Sequence, residues 1–259
     1  MDVSRKEATS EISVQDVVKK RGSITFRSRV VILISLFAAL DIVLSIIPIY
    51  PYGPSVGAIM KPFDGIILGP LGGSMAAFLG GLVSTFIWPG SAALLYATWI
   101  PGLVGALGAG FLFTRRWYIS FGLLALLIAG FLLHPWGGAV FIYASWDKIV
   151  ALVCILPASR AAELALRNRT DLRILSLSTG LVSFISTEMD AATGNLIFLF
   201  LAQAGLYGPM TPDGLLPLFL PYVLVDPAVR LGVGIAAALM LAPILFTCEK
   251  AGLLRWPLT

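Results

Sequence analysis

The stretch ILSLSTGLVSFISTEMDAATGNLIFLFLAQAGL (residues 174–206) decides how this chain is read. It is long and apolar enough to cross a bilayer, yet Glu188, Asp190 and Asn195 stand near its middle. The next apolar stretch, residues 215–246, carries Asp226 and, one helical turn later, Arg230. An ionisable side chain at bilayer depth is costly unless it faces a protein interior, a partner or water. Such residues mark a binding site or a coupling pathway.

Composition sets the class around them. Of the 259 residues, 58% are hydrophobic and only 12% charged, with a mean hydropathy of +0.92. Soluble domains carry about 25% charged residues. Backbone in lipid must satisfy its own hydrogen bonds, which helices of ~20 residues achieve. The expectation is an all-α, polytopic helical membrane protein. Its 26 glycines and 16 prolines fit, both being common in membrane helices. Cys154 and Cys248 lie apart in apolar segments and read as small hydrophobes. With one histidine, His134, a multi-histidine metal site is excluded, and no cofactor is expected. Residues 1–29 are too long and charged for the leading region of a signal peptide.

The net charge of +4 is not a nucleic-acid signal, because its cations are clustered. Seven of the 18 Lys and Arg fall in residues 1–29; others gather at Arg115–Arg116, Arg160–Arg173 and Lys250–Arg255. The positive-inside rule assigns all four clusters to the cytoplasm. Each neighbouring pair then encloses an even number of crossings. That logic gives a cytoplasmic tail or surface helix over 1–29, one transmembrane domain over 30–248 and a cytoplasmic tail over 249–259. Spans are expected at 30–48, 56–68, 71–88, 92–113, 117–133, 139–156, 174–206 and 215–246. The count is six to eight membrane segments, with both termini cytoplasmic. Residues 56–68 reach only ~20 Å and must form a broken or partly buried element. Gly73, Ala77, Gly81 and Thr85 recur every four residues and mark a close helix contact.

Six acids fall in membrane segments, Asp41, Asp64, Asp147, Glu188, Asp190 and Asp226, against three cations, Lys61, Lys148 and Arg230. The excess favours a substrate with a positive or strongly hydrogen-bonding part, or proton or cation coupling. Asp226 and Arg230 are within salt-bridge reach. Pro227 points to a broken helix with Asp226 capping its second half. Lys61 and Lys148 are expected to snorkel to an interface, and Trp146 to join an aromatic belt. Asp41 reads as an interhelical or rim contact. The substrate-binding candidates are Asp64, Trp146, Asp147, Glu188, Asp190 and Asn195, with Asp226–Arg230 as a charge pair or coupling element.

There is no G-x-x-x-x-G-K-[ST] loop, so ATP-driven work needs another chain. No H-E-x-x-H or G-x-S-x-G signature appears, and no enzyme is expected. The glycine run Gly102, Gly105, Gly108, Gly110 reads as helix packing.

Residues 31–90 resemble the first half of a substrate-binding S component of an energy-coupling factor (ECF) transporter. A basic tail precedes ISLFAALDIVLSIIP (34–48), an aromatic outer loop and a short segment. Next comes LGPLGGSMAAFLGGLVS (68–84), similar to that family's Gly-Pro-x-x-Gly turn and glycine-rich helix. The resemblance implies a cell-membrane subunit that captures a vitamin or micronutrient. It implies docking on a transmembrane coupling subunit driven by ATPases, through Ser35, Ala39 and neighbouring Ala38, with 49–57 as a lid. The chain departs from the family in its greater length and two extra membrane segments. Two other classes stay open: a proton- or sodium-coupled secondary transporter, and a non-transporting structural subunit of a membrane complex.

Overall fold

The computed structural model describes residues 28–49, 54–89, 94–252 and 256–258. They form α1 (Ser28–Ser45), α2 (Met60–Ile87), α3 (Trp99–Phe113), α4 (Trp117–Leu133) and α5 (Phe141–Arg167). α6 (Leu172–Gln203), the short α7 (Leu216–Phe219) and α8 (Val225–Lys250) follow. Five stretches are long and apolar enough to cross a membrane: Ser28–Ser45, Val56–Ile87, Leu95–Phe113, Gly138–Arg167 and Val225–Lys250. This is an all-α, polytopic membrane protein. α4 is apolar but shorter, and α6 is diluted by buried Ser178, Thr179, Ser183, Ser186, Thr187 and Thr193. Those hydroxyls sit in the interior because α6 is packed by α3, α4, α5 and α8.

α2 is bent back on itself. Gly69 has φ 76° and ψ 178°, and Pro70 follows. Only glycine holds such a conformation cheaply, and a residue before proline is steered away from the helical region. Beyond the apex the chain reverses: a Cβ on Gly73 would strike the backbone of Asp64 and Gly65. Eight residues along a straight helix would separate those groups by ~12 Å. Gly57 and Gly80, on opposite sides of the apex, both abut the Asp41 carboxylate of α1. Residues 56–68 and 70–87 are thus two antiparallel limbs, the broken short element expected at Gly69–Pro70.

α3 runs along the first limb. Gly102 abuts Lys61, Gly65 abuts Ala106 and Ala109, and Gly110 abuts Pro70. On its other side Gly105 touches Ser186 and Gly108 touches Met189 of α6, so the glycine run serves packing. Gly81 meets Trp99 across the second limb.

Several boundaries differ from the sequence reading. α5 continues through Pro157 to Arg167, leaving only residues 168–171 as a turn. Asp171 then caps α6, its Oδ1 accepting from the N–H of Arg173 (2.9 Å) and Ile174 (3.2 Å). Residues 215–224 are not part of the last span; Pro217 and Pro221 lie in short helical turns, and α8 starts at Val225. Residues 1–27 and 253–255 lie outside the described residues. Within the expected tail, Trp256 is buried against Phe113, ring centroids 5.9 Å apart, beneath the Arg169 guanidinium. Leu258 N–H donates to Ile67 O at 2.9 Å, close to the hairpin apex.

Alanine at Gly69 puts a Cβ on a backbone that L residues avoid, which costs about 1–3 kcal/mol. Gly122 on the exposed side of α4 has open space around it. Thermal unfolding in detergent should show a lower Tm for Gly69→Ala and no fall for Gly122→Ala. Equal midpoints would refute the reversal at Gly69.

Candidate functional site

Three helices converge on one charged cluster. α5 supplies Asp147 and Lys148, α6 supplies Glu188 and Asp190, and α8 supplies Asp226 and Arg230. Neighbours on a helix ordinarily face apart. Here Asp147 curls back, its Oδ1 accepting the Lys148 backbone N–H at 2.9 Å. Lys148 Nζ lies 2.7 Å from Asp147 Oδ2, 3.6 Å from Glu188 Oε2 and 3.7 Å from Asp226 Oδ2.

Arg230 closes the cluster from α8. It holds Asp226 in a fork, Nε to Oδ2 at 3.0 Å and Nη2 to Oδ1 at 3.1 Å. Its Nη1 donates to the Thr187 carbonyl at 2.6 Å and stands 3.8 Å from Asp190 Oδ2. Its Nε is 4.0 Å from Glu188 Oε2. Glu188 is 0% exposed, and neither of its carboxylate oxygens has a hydrogen-bond donor.

A second cluster joins α1 to the first limb of α2. Lys61 Nζ is paired with Asp41 Oδ2. Asp64, one turn beyond Lys61, is fully buried, and both its oxygens lack a donor. Asp190 sits within electrostatic range of both Lys61 and Arg230 and so links the two clusters.

The sequence candidates divide between these clusters. Asp147, Glu188 and Asp190 meet Asp226 and Arg230, and the Asp226–Arg230 pair forms as its spacing predicted. Pro227 lies in the first turn of α8 rather than at a break in mid-span, because the helix begins at Val225. Asp226 therefore lies inside that first turn, and the side chain of the capping residue, Leu224, makes no cap bond. Asp64 joins the other cluster. Trp146 is 37% exposed and donates its Nε1–H to Val223 O at 3.0 Å, tying α5 to the turn before α8. Asn195 donates to Ala144 O at 3.4 Å, a link between α6 and α5. On α1, Ser35 and Ala39 face outward, whereas Ala38 is buried.

Of its two expected readings Asp41 makes the interhelical contact: it is fully buried and paired with Lys61, away from the rim. Two residues play parts that the sequence reading missed. Lys61 and Lys148 do not snorkel: both are buried, Lys61 paired with Asp41 of α1 and Lys148 held by Asp147 of its own helix and by Glu188 and Asp226 of others. The shortness of the 56–68 limb, already evident in the sequence, is the signal that places Lys61 inside the bundle. His134, in the turn between α4 and α5, packs edge-on to Phe200, centroids 4.8 Å apart. Its Nδ1 accepts the Trp136 N–H at 3.2 Å, and burial lowers its pKa, so it stays neutral near pH 7.

As formal charges, the Glu188 cluster sets four carboxylates against two cations. The Asp41–Lys61–Asp64 cluster sets two against one. Charge left unmatched in an apolar interior is strongly unfavourable. Among the described residues, the layer as a whole holds fewer positive charges than formal negative ones. Removing one partner of a buried ion pair costs about 3–5 kcal/mol. Arg230→Gln should therefore lower Tm sharply in detergent, and adding Asp226→Asn should recover part of the loss. A double variant no better than the single one would count against Asp226–Arg230 as the main pair. Comparisons of the chain with protein-family models, with curated proteins and with solved structures give no match.

Proposed function

We propose that this chain is a multi-pass cell-membrane uptake protein for a small polar solute that carries positive charge or strong hydrogen-bond donors. The observation that carries this reading is Glu188, buried with two acceptor oxygens and no donor, in a cluster two positive charges short. A cationic group entering between α5, α6 and α8 supplies what Glu188 lacks. Lys148 and Arg230 hold the surrounding acids in position meanwhile. The solute is of the vitamin or micronutrient class, and the protein acts as a solute-binding subunit of the ECF type. The absence of a nucleotide-binding loop in the sequence supports a separate ATPase module. The exposed face of α1, with Ser35 and Ala39 among Val31, Leu36, Leu40 and Val43, is the surface offered to a transmembrane coupling subunit. Both termini and the 168–171 turn lie on the cytoplasmic side, where their basic residues belong.

A gradient-coupled carrier is the second reading, favoured by the donorless Asp64 carboxylate. Native mass spectrometry of the detergent-purified protein should reveal a co-purified cationic or amine-bearing small molecule. Glu188→Gln should weaken its binding at least about tenfold, a change of ~1.4 kcal/mol, with elution and Tm little altered. Normal binding by Glu188→Gln would make the cluster structural. Gradient-driven uptake into liposomes without an ATPase partner would favour the second reading over the first.

A further inference from the structure

We propose that Asp64 and Asp41 form a separate site for one monovalent cation, a sodium ion or a proton, at the junction of α1 and the α2 hairpin. Three carboxylate oxygens there, Asp64 Oδ1, Asp64 Oδ2 and Asp41 Oδ1, are buried without a hydrogen-bond donor. Asp64 is fully enclosed, and so is Asp41. Oxygens buried in an apolar interior need a partner, and a cation or a proton supplies one.

Lys61 does not fill the role. Its ammonium is committed to the other oxygen of Asp41, and its stem is pinned by α3: a Cβ on Gly102 would lie 2.7 Å from Lys61 Cε. The walls are equally close. Asp41 is gripped between Gly57 and Gly80, one from each limb of the hairpin. Ionisable groups face this site from α1 (Asp41), α2 (Lys61, Asp64) and α6 (Asp190), while α3 carries none. Asp190 is shared with Arg230, so Asp41, Asp64 and Lys61 decide the local balance. Two carboxylates against one ammonium leave one negative charge, which one monovalent cation cancels and a divalent one overshoots. Donors that are all oxygen suit a hard alkali ion or a proton rather than a transition metal.

The site goes beyond the solute-binding reading and does not depend on it. Asp190 connects the two clusters electrostatically, so charge bound at Asp64 alters the field at Arg230. By reciprocity, a cation here and a solute at Glu188 change each other's affinity.

The test uses the full chain in lipid nanodiscs with radiolabelled sodium as probe. Saturable binding near one sodium per chain is expected in the wild type. Asp64→Asn should reduce sodium affinity at least about tenfold. If sodium does not bind, the proton form predicts a protonated-carboxyl infrared band that Asp64→Asn removes. Wild-type protein with neither saturable sodium binding nor that band overturns the proposal, whatever the variant's folding. Either signal persisting unchanged in folded Asp64→Asn overturns it as well. A solute-binding defect confined to Glu188→Gln bears on the other site alone.

Discussion

A carboxylate removed from water must find positive charge or donors, and the interior of this bundle is arranged around that demand. Arg230 meets much of it. One guanidinium binds Asp226 through two parallel hydrogen bonds, caps the Thr187 carbonyl and still stands near Asp190 and Glu188. Its planar fork of donors lets it do so where a lysine would not. Lys148 serves the opposite side of the same acids. Even together the cations fall short, and the shortfall is concentrated on Glu188 and Asp64, whose carboxylate oxygens are all buried without a donor.

Close backbone approach is what makes such an interior buildable. Two of the charged side chains enclosed near α1, α2 and α3 are faced by glycines: Gly57 and Gly80 lie against Asp41, Gly102 against Lys61. A methyl group at any of these positions would occupy the space of the charged group. The glycines therefore do more than tighten helix contacts, since they also decide where charge fits and where a long side chain is held. Reversal at Gly69 brings Lys61 and Asp64 inward on a limb too short to span the bilayer.

Much of this was legible from residue order. The class followed from hydropathy, the hairpin apex from Gly69–Pro70, and the Asp226–Arg230 pair from its four-residue spacing. The count of six acids against three cations also came from the sequence, and the same nine groups form the charged layer, seven of them buried and Asp190 and Asp226 half-buried. What misled was treating each polar residue by its own habit. Lysines near a helix end usually reach for the interface, whereas Lys61 and Lys148 stay inside against acids. Trp146 stands beside Asp147 in the chain and Asn195 shares a helix face with Glu188, yet each gives a donor to a backbone carbonyl of another element.

By itself, then, the sequence determined that this protein is a helical bundle in a membrane, with more negative than positive charge inside it. Hydropathy and helical spacing act locally, so they can be read along the chain. Which acid meets which cation was decided only by the tertiary structure. Lys148 finds Glu188 across forty residues, Asp41 finds Lys61 across a loop, and Asp64 is separated from the acids it resembled. Pairing depends on how helices cross and reverse, through contacts a few ångströms long between residues far apart in sequence.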